Sequence, residues 1–298
     1  MLRSPSALQS ALLDRAWIQW IALGVDATGE ADEAVVDPEA LIALTAELGD
    51  ADARLRDLST DWCITYGRYV NGSRLKQVVR ELRTPEELIG EYVATVAAAG
   101  GPTWPMATKR RTDYIPRAKA RLESASGRAR LRIRLRAAFG VNARADVLAA
   151  LLHAFPGGLS VADLARLTRF TKPNVAFAVD ALVLAGLLSA RVVGNEKRIF
   201  LTTRGAILPG LRPPVAQPDW IARFGVALEV DRFIGRSGDM STVVRAIEAR
   251  RVVEPLIDRI SAAGIPRPNM DVLGEEFAPA FDRWVIDLVD WLRSPTHR

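Results

Sequence analysis

Thr171, Lys172 and Asn174 stand within four residues of one another, with Arg169 just before them and Phe177 shortly after. A hydroxyl, an ammonium and an amide in that span are groups that hydrogen-bond phosphate oxygens and the edges of bases. Further along, Arg191, Asn195, Lys197 and Arg198 form a second polar group. Two such groups held side by side would suit a polyanion.

The elements around them can hold them so. Arg144 to Phe155, Ser160 to Thr168 and Thr171 to Ala185 read as three successive helices, the second and third capped by Ser160 and Thr171. In the first, Val147, Leu148, Leu151, Leu152 and Phe155 share an apolar face. Leu188 to Val193 and Arg198 to Thr202 then read as strands around Gly194-Asn195-Glu196-Lys197. Three helices followed by a hairpin is the order of a winged helix-turn-helix, which offers one helix to a DNA groove and a β-ribbon beside it. At about 3.6 residues per turn, Val175, Val179, Leu182 and Gly186 form the core stripe of the third helix. Pro173, Phe177, Asp180 and Leu184 then face outward, flanked by Asn174 and Ala181.

Leu164 to Leu188, LARLTRFTKPNVAFAVDALVLAGLL, resembles the recognition stretch of MarR-type and ArsR-type winged-helix regulators. The likeness lies in the Thr-Lys-Pro turn and the Ala-Gly-Leu-Leu exit. More loosely, Asp37 to Leu82 and Phe139 to Leu152 resemble uncharacterised bacterial winged-helix proteins with helical arms on both sides. The resemblance implies DNA binding, and some proteins of this layout are antitoxins or autorepressors. One departure counts against base reading. Such regulators usually carry a Ser or Thr and an Arg where this chain has Ala176 and Phe177. Phe177 can meet a thymine methyl or a partner protein, or be partly buried, and Asp180 would repel phosphates.

Charge is distributed unevenly. Residues 1–105 hold 9 basic and 16 acidic side chains, residues 106–211 hold 19 and 6, and residues 212–298 hold 12 and 13. From Lys109 through Arg144 there are 12 basic and 2 acidic residues, expected to form a cationic apron leading into the three-helix unit. A concentrated positive field is the footprint of polyanion binding, although solvated basic surfaces are also common. Arg128 to Arg136 alternates arginine with apolar residues, which fits a strand by period. Its helix formers and Ala137-Ala138 favour a helix.

The flanks read as helical. Ser6 to Leu23 carries Leu12, Ala16, Trp20 and Leu23 at helical spacing, and Asp37-Pro38-Glu39 is a helix start facing Leu41, Leu44, Thr45 and Leu48 inward. Asp52 to Val70 places Leu55, Leu58 and Trp62 on one face. Asn71-Gly72 breaks it, and Thr84-Pro85-Glu86-Glu87 reads as a capping box. Past the Pro-rich 209–218 connector, Trp220 to Ile234, Ser241 to Ala263 (interrupted at Pro255) and Phe277 to Trp291 read as amphipathic helices. The chain thus divides into a helical N-terminal domain over 1–100, a basic linker and helix over 101–138, a winged helix over 139–208 and a helical C-terminal domain over 209–298. Trp17, Trp20, Trp284, Trp291 and Leu184 suit either core packing, the simpler account, or a homodimer surface.

Other signals carry less. Cys63 is the only cysteine, which excludes an internal disulfide framework and a cysteine-based metal cluster. It reads as a core thiol. His153 and the penultimate His297 have no accompanying ligand set, and Asp57, Asp61, Glu275 and Glu276 read as solvated helix charges. Gly235-Arg236-Ser237-Gly238 is a turn rather than a phosphate loop, and no nucleophile elbow is present. No apolar run reaches membrane-spanning length and the start lacks a secretory pattern. The expectation is a mainly α, bacterial, cytoplasmic DNA-binding transcriptional regulator, not an enzyme and without metal or cofactor. It would bind double-stranded DNA through Thr171, Lys172 and Asn174, with Arg169, Arg191, Lys197 and Arg198 on phosphates. The alternative is a protein-interaction module such as an antitoxin or assembly subunit, which can also repress its own gene.

Overall fold

The computed structural model describes residues 6–122, 127–208, 210 and 213–294. It is mainly helical, with one small antiparallel sheet. The first helices are α1 (Ala7–Ala22), α2 (Pro38–Leu48), α3 (Ala53–Tyr66), α4 (Gly72–Leu82) and α5 (Glu86–Ala98). Ser6, Asp37, Asp52 and Asn71 each start the helix that follows, accepting a first-turn amide with the side chain. Leu12, Ala16, Trp20 and Leu23 are all fully buried, as their spacing requires. The expected capping box at Thr84 does not form, and α5 starts at Glu86 after Pro85. Thr84 is committed to α4 instead: after left-handed Arg83, its amide donates to Val79 O at 3.1 Å, closing that helix. Its hydroxyl is left buried without a partner.

After the residue 101–130 stretch come α6 (Leu131–Phe139), α7 (Ala143–Ala154), β1 (Leu159–Ser160), α8 (Val161–Thr168), α9 (Lys172–Leu184), β2 (Leu188–Val193), β3 (Glu196–Leu201) and α10 (Thr203–Ile207). The Arg128 to Arg136 stretch, open between strand and helix, falls mostly in α6. Strand order is β1-β3-β2, all antiparallel, with Leu159 opposite Ile199 and Val193 opposite Glu196. The hairpin is tighter than the spacing predicts: Glu196 and Lys197 pair within β3, leaving Gly194-Asn195 as a two-residue turn. Gly194 takes φ +63°, which glycine adopts without strain. Val175, Ala178, Val179 and Leu182 of α9 pack with Leu148, Leu151 and Leu152 of α7, Leu164 of α8 and Ile199 of β3 in one core.

The last helices are α11 (Trp220–Arg236), α12 (Thr242–Val253), α13 (Ile257–Ala262) and α14 (Phe277–Arg293), with a short 3-10 turn at Pro255 between α12 and α13. Here the structure departs from the expected arrangement of separate flanking modules. Leu8, Trp20 and Trp62 from the start of the chain share one core with Phe224, Phe233, Phe281 and Leu288 from its end. Amphipathic helices must cover their apolar faces, and these two sets cover each other. Arg15 Nε donates to Leu292 O at 2.9 Å and Trp220 Nε1 to Val35 O at 2.8 Å across the join. Trp20 and Trp284 are core residues. Trp17 and Trp291 are half-buried, Trp17 donating to Asp52 at 2.8 Å and Trp291 lying under the Arg223 guanidinium at 4.6 Å.

The stretch expected as a linker is strapped onto this helical body. Trp104 is buried, and the Asp61 carboxylate accepts the amides of Arg117, Ala118 and Lys119 at 2.6, 3.1 and 2.7 Å. Asp61 is therefore not the solvated helix charge its position suggested. Orphaned amides on an irregular strand need an acceptor, and a buried carboxylate supplies one for three of them. At Gly24, φ is +87° and an added Cβ would stand 2.1 Å from Arg121 O, so only glycine fits the strap.

Candidate nucleic-acid interface

Helix α9 presents two distinct faces. With Val175, Ala178, Val179 and Leu182 in the core, Thr171, Lys172, Pro173, Asn174, Phe177, Asp180 and Leu184 are all exposed, Phe177 to 69% and Leu184 to 91%. Gly186, expected on the core stripe, lies beyond the helix end and is exposed at φ +71°. Thr171 caps the helix, its hydroxyl accepting the Asn174 amide at 3.4 Å. Pro173 suits the first turn because it lacks an amide to be satisfied there. Lys172 and the Asn174 side chain therefore project from the leading end of α9.

The chain passes from α9 through Gly186 directly into β2, so the hairpin lies beside it. Arg191, Asn195 and Lys197 are exposed on that hairpin. The Arg191 guanidinium sits 5.6 Å from the Phe200 ring, and Arg198 is partly engaged, bonding Glu196 at 3.0 Å. Arg191 and Lys197 are the hairpin cations without a carboxylate partner among the described residues.

Arg169 is placed differently from the expectation. It ends α8 in the left-handed conformation, φ +61°, and its guanidinium bridges Glu81 of α4 at 3.1 Å and Asp219 before α11 at 3.2 Å. Burial alone would lower its pKa, but Asp219 and Glu81 outweigh that and raise it. Two carboxylates already satisfy this side chain, so it ties three elements together rather than reaching a phosphate. The fork of an arginine suits such a double bridge.

The cationic apron is partly spoken for: five of its 12 basic residues pair with carboxylates, while Lys109, Arg111, Lys119 and Arg121 are exposed. Arg132 and Arg136 of α6 are buried at the junction of α2, α4, α6 and α7. Arg136 reaches Glu39 at 2.6 Å and Asp146 at 3.1 Å, Arg132 reaches Asp146 at 2.7 Å, and Arg74 joins Asp37 and Glu39 at 2.5 Å each. Three guanidinium groups thus meet three carboxylates. Desolvation would push the Asp37 carboxyl up, but Arg132, Arg74 and Arg136 hold it well below the ordinary range. Desolvation dominates at Arg132 and lowers its pKa. At the surface, Arg110 pairs with Glu91 at 2.8 Å, Arg117 with Asp57 at 3.8 Å and Arg128 with Glu33 at 3.1 Å. Part of the basic middle of the sequence therefore meets the acidic first third within the molecule. Alternating charge in sequence could have suggested such neutralisation; which residues would meet could not be read from it.

Two further residues singled out in the sequence have partners inside the fold. Cys63 is buried against the Tyr92 hydroxyl at 3.6 Å, and burial pushes its thiol up to about 12. His153 Nδ1 accepts the Gln217 amide at 3.2 Å, and His297 lies outside the described residues. No group of potential metal ligands occurs among the described residues, and no helix among them is long and apolar enough to cross a membrane. Comparison with protein-family models, curated proteins and solved structures returns no match.

Proposed function

We propose that residues 139–208 form a winged helix-turn-helix and that the protein is a DNA-binding transcriptional regulator. One observation carries this reading: the outer face of α9, with Thr171, Lys172 and Asn174 exposed, adjoins a hairpin whose exposed Arg191 and Lys197 have no carboxylate partner among the described residues. Helix, helix, helix and β-ribbon in that order suit insertion of α9 into a major groove with the hairpin on the flanking backbone. Asn174 is the group able to read a base edge, and Lys172, Arg191 and Lys197 hold phosphates. Arg169 has no part in it, and Asp180 keeps the middle of α9 away from the backbone. Affinity from so few cations is modest and strongly salt-dependent. A mobility-shift titration of the full chain against genomic fragments at two salt concentrations tests the reading. Binding that weakens steeply with salt is expected, and absence of binding at low salt refutes it.

A second reading, a protein-interaction module such as an antitoxin or assembly subunit, is favoured by apolar exposure in the same region. Phe177 at 69%, Leu184 at 91% and Val192 at 76% are unusual for a surface dedicated to phosphates. Capture of a stoichiometric protein partner, with DNA binding unaffected by Lys172→Ala and Asn174→Ala, would favour it. An autorepressing antitoxin would satisfy both.

A further inference from the structure

We propose that the groove between α4 and the leading end of α9 seats one strand of the duplex, so that the helical body contributes to the DNA surface. The inference rests on the duplex-binding reading above and extends it to residues outside the three-helix unit. The groove has a volume of about 500 Å³ and is walled by Ser73 and Gln77 of α4, Asn142 and Arg144 at the start of α7, and Thr171 and Asn174 at the start of α9. Gln77 Nε2 donates to Glu81 at 3.4 Å and Asn142 Nδ2 to Phe139 O at 3.0 Å, which leaves the Ser73 and Thr171 hydroxyls, the Asn174 amide and the Arg144 guanidinium as the donor set for phosphate oxygens.

The exposed face of α4 points the same way. Ser73, Lys76, Gln77 and Arg80 are exposed at helical spacing, opposite buried Leu75, Val78, Val79 and Leu82. Neither Lys76 nor Arg80 has a carboxylate partner among the described residues. The nearby acid, Glu81, is taken by Arg169 at 3.1 Å. The exposed face of α4 that flanks the groove is therefore net positive, although it belongs to the acidic third of the sequence. Independently of that charge, α4, α7 and α9 all begin at the groove. Asn71 and Asn142 each accept a first-turn amide at 2.9 Å, as Thr171 does at 3.4 Å. Three helix starts add their positive ends to the same place. An anionic strand lying there would pass from α9 onto α4 without crossing a carboxylate left unpaired.

The test is fluorescence anisotropy of the full chain with a labelled random-sequence duplex across a salt series. Lys76→Ala/Arg80→Ala/Arg144→Ala is expected to weaken binding by roughly tenfold or more near 0.1 M salt and to flatten the salt dependence. Gln77→Lys should tighten binding and steepen the dependence, and Gln77→Glu should do the reverse; this gain-of-function arm stands even where the triple variant folds poorly. If Lys172→Ala/Lys197→Ala weakens binding while the α4 and Arg144 changes leave it unaltered, the groove proposal is overturned and the duplex reading survives. If the unmodified chain fails to bind at low salt, the duplex reading itself is overturned.

Discussion

Arg132 and Arg136 at the α2–α4–α6–α7 junction, and Lys172, Arg191 and Lys197 on α9 and its hairpin, all come from the basic middle of the sequence. Their surroundings differ completely. The first pair is fully enclosed and meets Glu39, Asp37 and Asp146; the second group is exposed without carboxylate partners among the described residues. Where the helical body and the sheet-bearing unit press together, arginine serves to neutralise buried acids and fix the register of the helices. Where the surface turns away from that junction, similar charge remains available to an external anion. Net charge along a sequence is thus a poor measure of charge offered to a partner.

Changes at each region should separate these roles. Arg136→Ala leaves Glu39 and Asp146 buried with one guanidinium fewer, and stability is expected to fall by about 3–5 kcal/mol in a denaturant titration. A loss within experimental error would mean that water enters the junction and that the contrast is overstated. Lys172→Ala should leave stability within about 0.5 kcal/mol while reducing the salt dependence of duplex binding by about one phosphate contact. The reverse pattern, lost stability with unchanged binding, would merge the two groups.

Acid titration sharpens the contrast further. The Asp37 carboxyl is held low in the folded chain, so its stabilisation is present above the unfolded value of about 3.9 and is lost as pH falls through the folded one. Asp37→Asn should therefore be less stable than the unmodified chain at neutral pH, and the gap should narrow below about pH 4. A gap that stays constant with pH would remove the charge from the explanation. The smallest effect belongs to the exposed pairs: Arg128→Ala, which breaks the contact with Glu33, should cost no more than about 1 kcal/mol, less at high salt.

Much of the local structure was legible. The caps at Asp37, Ser160 and Thr171 follow from short polar side chains preceding apolar periodicity, and each forms as expected. The outward face of α9 also follows from helical spacing alone, since Val175, Val179 and Leu182 must turn inward together. Thr84 shows the limit of such reasoning, because its backbone closes the preceding helix and so cannot begin the next one. Of the anticipated contact residues, Thr171, Lys172, Asn174, Phe177, Arg191, Asn195 and Lys197 are exposed, Arg198 is partly engaged, and Arg169 is occupied by two acids.

Sequence alone determined where α2, α8 and α9 begin, which side of α9 is apolar, and that a hairpin follows it. Those depend on interactions between residues a few positions apart. Only the tertiary structure decided that the first and last helices share a core, that Asp61 holds a distant strap, and that Arg132 and Arg136 are enclosed. Each of these joins residues far apart along the chain, and a guanidinium has the same composition whether water or a carboxylate surrounds it.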